Sequence, residues 1–304
     1  MSKFLVTGGA GYIGSHVTNH LLAQAHSVRV IDNLVSGKRS RIPAGVDFIE
    51  GDIRDRATIL RATDAVDGIF HLAALPRVSY SIEHPVEVYD VNVAGTLNIL
   101  EAARKTGVRR IVFSSSSAIY GNAEILPTEE SHSANPLNPY AQSKLMSEQI
   151  LKQYADLFAL ETVSLRYFNA YGPLMEENTA YATVIAAFLG CLRRSQPFMI
   201  HGTGEQTRDF VHVTDIAKAN LLAMTSPRVG HGEAINIGSG ESVSVLAIAE
   251  LMCGQGGVIY QPSRAGDAEH TRATIEKATI LLGWKPTIPF SKGIEDVLSA
   301  EDFS

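Results

Sequence analysis

The chain has 304 residues, 45% of them apolar and 19% charged, with a formal net charge of −6. That size suits one large α/β core with an appended lobe, and the acidic balance offers no basic face to nucleic acid or to an anionic membrane surface. A first strand expected from residue 3 leaves no room for a secretory leader, no apolar run reaches spanning length, and Cys191 and Cys253 lack metal-ligand spacing, so they read as buried thiols of a cytoplasmic protein that needs no metal.

Lys3-Phe-Leu-Val-Thr7 is a short apolar run, read as a strand, that leads straight into Gly8-Gly-Ala-Gly11-Tyr-Ile-Gly14. Glycines at 8, 11 and 14 form G-x-x-G-x-x-G, a variant of the dinucleotide fingerprint. Such a turn needs glycine torsions and close backbone approach, and it sets phosphates on the N-terminus of the next helix. That helix is predicted over Tyr12–Ala23, with Ile13, Val17, Leu21 and Leu22 inward. A second strand at 27–31 ends in Asp32-Asn33. Asp32 follows Gly14 by eighteen positions, close to the spacing of a carboxylate on an adenosine ribose. Its charge would repel a 2′-phosphate, which favours NAD over NADP.

Further strands are predicted at 46–49, 68–72, 109–114 and 161–167, with helices over Val86–Lys105 and Asn138–Asp156. This alternation argues a doubly wound α/β fold with a parallel sheet covered on both faces. After Gly172-Pro173 the pattern changes. Helices are expected at Thr183–Arg194, Thr214–Thr225 and Val243–Cys253, a strand at Ala234–Ile237, and two short helices toward the end. The division expected is a Rossmann domain over 1–172 and a smaller α/β lobe over 173–304, with 214–225 and 234–237 free to return to the main sheet.

Within the helix at 138–156, Tyr140 and Lys144 are four residues apart and share a face. A phenol beside a fixed positive charge has its phenolate favoured, so its pKa should fall toward neutrality. That is what a general acid/base for an alcohol requires. Four serines, Ser114 to Ser117, end the strand before it.

In this order the glycine loop, Asp32, Gly51-Asp52-Ile53, His71-Leu-Ala-Ala74, Asn92, Ser114–Ser117, Tyr140/Lys144 and Arg166-Tyr-Phe-Asn169 resemble an extended short-chain dehydrogenase/reductase. Gly202–His212, Arg264-Ala-Gly-Asp267 and Leu281–Pro286 continue the likeness, which runs from residue 3 to about 298 and is strongest to the UDP-hexose 4-epimerases. The resemblance implies an NAD-dependent isomerase that inverts C4 of UDP-glucose and UDP-galactose through a 4-keto sugar. It places Gly8, Gly11, Tyr12 and Ile13 at the pyrophosphate, Asp32, Asn33, Ser36 and Gly37 at the adenosine ribose, and Asp52 and Ile53 beside adenine. Leu72, Ala73, Ala74, Ser114, Ser115 and Tyr167 fall under the nicotinamide half, with Asn92 holding the active-site helix there.

Ser116, Tyr140 and Lys144 would be catalytic. Arg208 and Arg264 would grip the diphosphate with Asn169, since guanidinium forks match phosphate oxygens. Asp267 would contact the uridine ribose or orient Arg264, and Thr183 and Val184 would meet uracil. Thr271 falls at a gate beside the sugar 2-position, where a small residue admits an N-acetyl group. Related dehydratases carry an Asp-Glu pair where this chain has Ser117 and Ala118, which favours plain epimerisation. Arg77 keeps UDP-glucuronate 4-epimerisation open, although it is expected to point outward. A non-catalytic NAD-sensing scaffold would be expected to lose the serine, tyrosine or lysine, and all three are present. A homodimer through a four-helix bundle is expected, with Val91, Leu97, Leu100, Leu145 and Leu151 as candidate outer-face residues.

Overall fold

The structure is a computed structural model, and it describes residues 1–175, 183–252, 257–262 and 269–300. The first half alternates β1 (Lys3–Thr7), α1 (Tyr12–Ala23), β2 (Ser27–Asp32), β3 (Asp47–Glu50), α2 (Arg56–Ala62) and β4 (Gly68–His71). Next come α3 (Val78–Glu83), α4 (Pro85–Tyr89), a π-helical turn (Asp90–Ala94), α5 (Gly95–Thr106) and β5 (Arg110–Ser116). A 3-10 turn (Ser117–Tyr120), α6 (Pro139–Phe158) and β6 (Glu161–Tyr167) complete it. The second half holds β7 (Asn169–Tyr171), α7 (Val184–Arg193), β8 (Phe198–His201), β9 (Thr207–Arg208), β10 (Phe210–His212) and α8 (Val213–Thr225). It ends with β11 (His231–Ile237), β12 (Val243–Ser244), α9 (Val245–Met252), β13 (Val258–Gln261), α10 (Glu276–Leu282) and α11 (Phe290–Ser299).

Seven strands form one sheet in the order β11-β6-β5-β4-β1-β2-β3, and every pairing in it is parallel. Their side chains alternate between two apolar layers, as a sheet covered on both faces requires. Val6, Phe70, Val112 and Leu165 pack toward α1, α8 and α10, with Val17, Ile216 and Trp284. Leu5, Ile31, Ile69 and Ile111 pack the other way against Ile59 of α2, Ile99 of α5 and Leu151 of α6. Chain order reverses between β1 and β4, so a crevice opens at their carboxyl ends, where ligands of such sheets bind. A third apolar cluster joins α7, β8, α9 and α11 beside that crevice, with Phe188 stacked on Phe198 at 4.2 Å.

Three elements sharpen the sequence reading. The helix expected over Val86–Lys105 is continuous but passes through a π turn at Asp90–Ala94, where Ser147 and Thr96 hydroxyls bond the Asn92 carbonyl. The helix expected from Val243 begins two residues later, because Val243 and Ser244 pair with Arg208 and Thr207. The strand of the second half takes the return to the main sheet left open for 234–237: β11 pairs along β6. Most of the candidate dimer face is also spent inside the protomer. Val91 (8% exposed), Leu100 and Leu151 (both 0%) belong to the core layer under α2 and α5, and only Leu97 and Leu145 are half-buried.

Candidate active site

The glycine loop shows first why its sequence is what it is. Gly8 has φ +71°, and a Cβ there would lie 2.7 Å from the Ala73 amide nitrogen. At Gly14 a Cβ would lie 2.1 Å from the Gly8 carbonyl oxygen, so any side chain would push the loop off α1. Gly11 caps α1 without a side chain, leaving the helix N-terminus open toward the crevice. Open amides and the positive helix end suit an anionic phosphate.

A single cavity of about 1000 Å³ runs from this loop into the second half of the chain. Gly8, Gly11, Tyr12 and Ile13 line one end with Asp32, Asn33, Ser36, Asp52 and Ile53. Gly37 lies just behind them, where a Cβ would meet Asp32 Oδ1 at 2.8 Å. Asp32 is 8% exposed and accepts the Ala10 and Leu34 amides at 3.0 and 2.8 Å. Burial nevertheless raises its carboxyl above the usual carboxylate range. Asp52 is held differently. Arg54 grips it through Nε (3.0 Å) and Nη2 (2.8 Å), and Asn33 Nδ2 adds a bond at 3.0 Å, so its carboxyl is lowered to about 2. Its carboxylate therefore already has protein donors, whatever it adds at an adenine.

Leu72, Ala73 and Ala74 form the middle of the cavity wall, with Ser114, Ser115 and Tyr167 opposite. A buried chain of hydrogen bonds fixes this wall. Thr96 gives its hydroxyl proton to the Asn92 carbonyl, so His71 Nε2 must be the donor in its 2.9 Å contact with Thr96 Oγ1. His71 Nδ1 then accepts from Thr7 Oγ1 at 2.7 Å, and Thr7 in turn accepts the Ala73 amide at 3.2 Å. Burial pushes His71 down to about 3, which keeps the ring neutral. Asn92 is a structural member of this chain. It is 2% exposed, exchanges bonds with the Leu75 backbone at 2.8 and 3.2 Å, and donates to Ser143 on α6 at 2.9 Å. Its side chain does not line the cavity and so makes no cofactor contact; it joins the wall to α6, the helix-holding part that the resemblance implied.

Tyr140 and Lys144 both line the cavity from α6, whose start is fixed by Pro139 and by Asn138 Oδ1 accepting the Ala141 amide at 2.9 Å. Tyr140 is half-buried and hydrogen-bonded to Ser116. Ser116 Oγ accepts the Ala118 amide at 3.1 Å, which leaves its own proton to give to the phenol oxygen. Lys144 is 3% exposed; its Nζ donates to the Ser114 carbonyl at 2.7 Å and sits 4.7 Å above the Phe113 ring. The expected lowering of the tyrosine pKa by this lysine is not found. Burial raises the phenol above its usual value, with only the Ser116 bond opposing it. The ammonium stands 6.0 Å from the centre of the ring, and burial brings Lys144 itself down to about 7. Desolvation has outweighed the pairing that spacing alone suggested.

The far end is formed by the second half of the chain. Asn169, Thr183, Val184 and Arg208 line it, with Phe188, Met199 and His201. Asn169 Nδ2 donates to the Asp209 carbonyl at 2.7 Å, and Arg208 Nη1 donates to the Thr207 and Glu269 carbonyls at 3.0 and 3.1 Å. Thr271 lies behind Asn169, 3.5 Å from its amide, and accepts the Asp209 amide at 3.1 Å. It does not itself line the cavity. Arg264 and Asp267 lie outside the described residues. Arg77, expected to face away, is exposed yet lines the cavity rim. Sequence reasoning missed Ser143 and the ion pair of Glu148 with Arg166, although Glu148 follows Lys144 at the same four-residue spacing that singled out Tyr140.

The model of the NAD dependent epimerase/dehydratase family matches residues 4–238. The chain belongs to this family. A relative named putative UDP-glucose 4-epimerase from Methanocaldococcus jannaschii is 40% identical over 301 residues, covering 97% of each chain. Among solved structures, the UDP-glucose 4-epimerase of Thermotoga maritima with UDP-glucose superposes with a TM-score of 0.93 at 35% identity, covering 98% of both chains. That of Thermus thermophilus in complex with NAD gives 0.90 at 36% identity over 98% of each. In a member of this family the glycine cradle, the open helix end and the buried Asp32 fit NAD. The fit rests on the two positions where a Cβ would collide, which leave backbone amides bare where a pyrophosphate would come.

Proposed function

We propose that the chain is an NAD-dependent UDP-glucose 4-epimerase that interconverts UDP-glucose and UDP-galactose through a 4-keto sugar. The observation that carries the reading is one cavity lined at one end by the glycine cradle, in its middle by Tyr140 over Lys144, and at the other end by Arg208 and Asn169. NAD, when bound, supplies a reversible acceptor for the hydrogen at C4. Tyr140 takes the proton of the 4-hydroxyl and later returns it, and Ser116 steadies the same oxygen with its donated bond. Lys144, in reach of the Ser114 carbonyl, supplies positive charge under the phenol and would bond the nicotinamide ribose. Burial raises the phenol, so the positive ring of NAD would have to add to the charge of Lys144 for Tyr140 to work as a base near neutrality.

Arg208 and Asn169 would hold the diphosphate while the sugar turns, with Arg264 and Asp267 as further binding residues. Thr183 and Val184 would border uracil. Thr271 stands behind Asn169 and outside the cavity lining, so the gate expected of it lends no support to UDP-N-acetylglucosamine as a second substrate. Ser117 and Ala118 stand where an elimination would need acids, so no dehydration is expected. The division into a cofactor-binding part, 1–172, and a nucleotide-sugar part, 173–304, is likewise proposed, with α8 and β11 of the second part built onto the main sheet. A homodimer pairing α5 with α6 is part of the proposal, supported by half-buried Leu97 and exposed Leu157 and Phe158, and sedimentation tests it. A cytoplasmic location is likewise proposed; no helix among the described residues is long and apolar enough to cross a membrane.

The deciding experiment incubates purified protein with UDP-galactose and no added cofactor. UDP-glucose formed without accumulation of NADH supports the reading, and accumulation of a keto product or no turnover defeats it. One observation favours a second reading, UDP-glucuronate 4-epimerisation. Arg77 lines the cavity rim and has no ion-pair partner among the described residues. A kcat/KM for UDP-glucuronate above that for UDP-glucose, lost in Arg77→Ala, would establish it.

A further inference from the structure

A buried ion pair lies directly beneath the catalytic residues. Glu148, one turn beyond Lys144 on α6, is 7% exposed and takes the Ser115 hydroxyl together with Arg166 Nε at 3.0 Å and Nη2 at 2.7 Å. Arg166 on β6 is 8% exposed and donates through Nη1 to Tyr120 Oη at 2.8 Å and the Glu130 carbonyl at 3.2 Å. Ser115 stands between Ser114, whose carbonyl holds Lys144, and Ser116, which bonds Tyr140. One carboxylate therefore anchors the strand end carrying Ser116 and the helix carrying Tyr140 and Lys144. A buried pair of this kind gains little stability over apolar residues of the same shape, so its placement calls for another role.

We propose that Glu148 and Arg166 are positioning residues that set the charge of Lys144, with Glu148 holding the ammonium protonated under Tyr140 and Arg166 limiting that pull. The groups facing Lys144 leave the part to them. On its own helix these are Tyr140 and Glu148; from β5 come the Ser114 carbonyl and the Phe113 ring. From β4 comes His71, kept neutral by burial; behind Glu148 stand Arg166 of β6 and Tyr120 of the 3-10 turn, and Tyr167 bonds Ser114, both phenols being pushed up to about 12 and therefore neutral. Among these groups only Glu148 carries negative charge, and it opposes the burial that lowers Lys144.

In its activity readout the proposal rests on the epimerase reading, but the test has a readout free of it. Lys144 is labelled with acetic anhydride across pH in the full-length protein and followed by mass spectrometry. Glu148→Gln is expected to lower the midpoint of Lys144 labelling by about one pH unit or more, and Arg166→Met to raise it. The alkaline limb of kcat for UDP-galactose should move the same two ways. Ser115→Ala, which keeps both charges, should leave the midpoint in place. Midpoints that do not move, or that move together in both charge variants, overturn the proposal, because a merely structural pair would not shift them oppositely. If Glu148→Gln does not fold, Arg166→Met decides alone: an unchanged or lowered midpoint sinks the idea. Wild-type protein inert toward UDP-galactose defeats the epimerase reading while the labelling still judges this one.

Discussion

At Tyr140 the phenol sits half-buried over a cavity, bonded to Ser116, with its lysine four residues along and 6.0 Å from the ring centre. Replacing it by Phe removes one hydroxyl and leaves the ring in place. The expected outcome is a fall in kcat for UDP-galactose of about 10³-fold with an unchanged far-ultraviolet circular dichroism spectrum. Lys144 gives the opposite balance between stability and activity. Its folded pKa of about 7 is below the ordinary 10.5, so between these values the unfolded chain binds the proton more readily. The burial cost is complete below pH 7 and is relieved as pH rises toward 10.5. Lys144→Met should therefore abolish turnover yet raise unfolding free energy in urea at pH 7 by about 2 kcal/mol, a gain that shrinks by pH 10. These two positions were legible as residues from their spacing. The direction of the tyrosine shift was not, because desolvation depends on which segments close over the ring.

Among the elements, the glycine loop and α1 matched the sequence reading to the residue: Tyr12–Ala23 was expected and is found. Period and turn chemistry act locally there, so the chain announces them. Gly14→Ala tests the tight contact with the Gly8 carbonyl. It should cost at least tenfold in NAD affinity by isothermal titration while the circular dichroism spectrum stays close to native. Less visible were features made by contacts distant in sequence. The π turn at Asp90–Ala94 exists where Asn92 meets Leu75 and Ser143, and nothing in the local pattern of Val86–Lys105 marks it. The pairing of Asp52 with Arg54 was close in sequence but hidden by the role that resemblance gave the carboxylate. Val91, Leu100 and Leu151 carried a helical apolar pattern that served core and interface equally well, and packing assigned them to the core.

For the whole molecule, the sheet joins what the sequence divided at residue 172. β11 completes the hydrogen bonding of β6, and α8 covers the layer holding Val17 and Leu21 of α1. Trp284 Nε1 donates to the Asp215 carbonyl at 2.9 Å and so fastens the closing segment to α8. A fragment of residues 1–172 is thus expected not to fold by itself, which near-ultraviolet circular dichroism and limited proteolysis would reveal. In the full chain, Trp284 is the sole tryptophan and is 1% exposed. Its emission should redden at the same urea concentration at which helix is lost, if both halves unfold together.

Synthesis meets this strand order as a delay. Glu161–Tyr167 leaves the ribosome well before His231–Ile237, so one side of a hydrophobic parallel sheet waits with bare amides and carbonyls. Such a rim invites pairing with another nascent copy. Slow translation or truncation between those two segments should therefore yield inclusion bodies rather than a shortened, working protein.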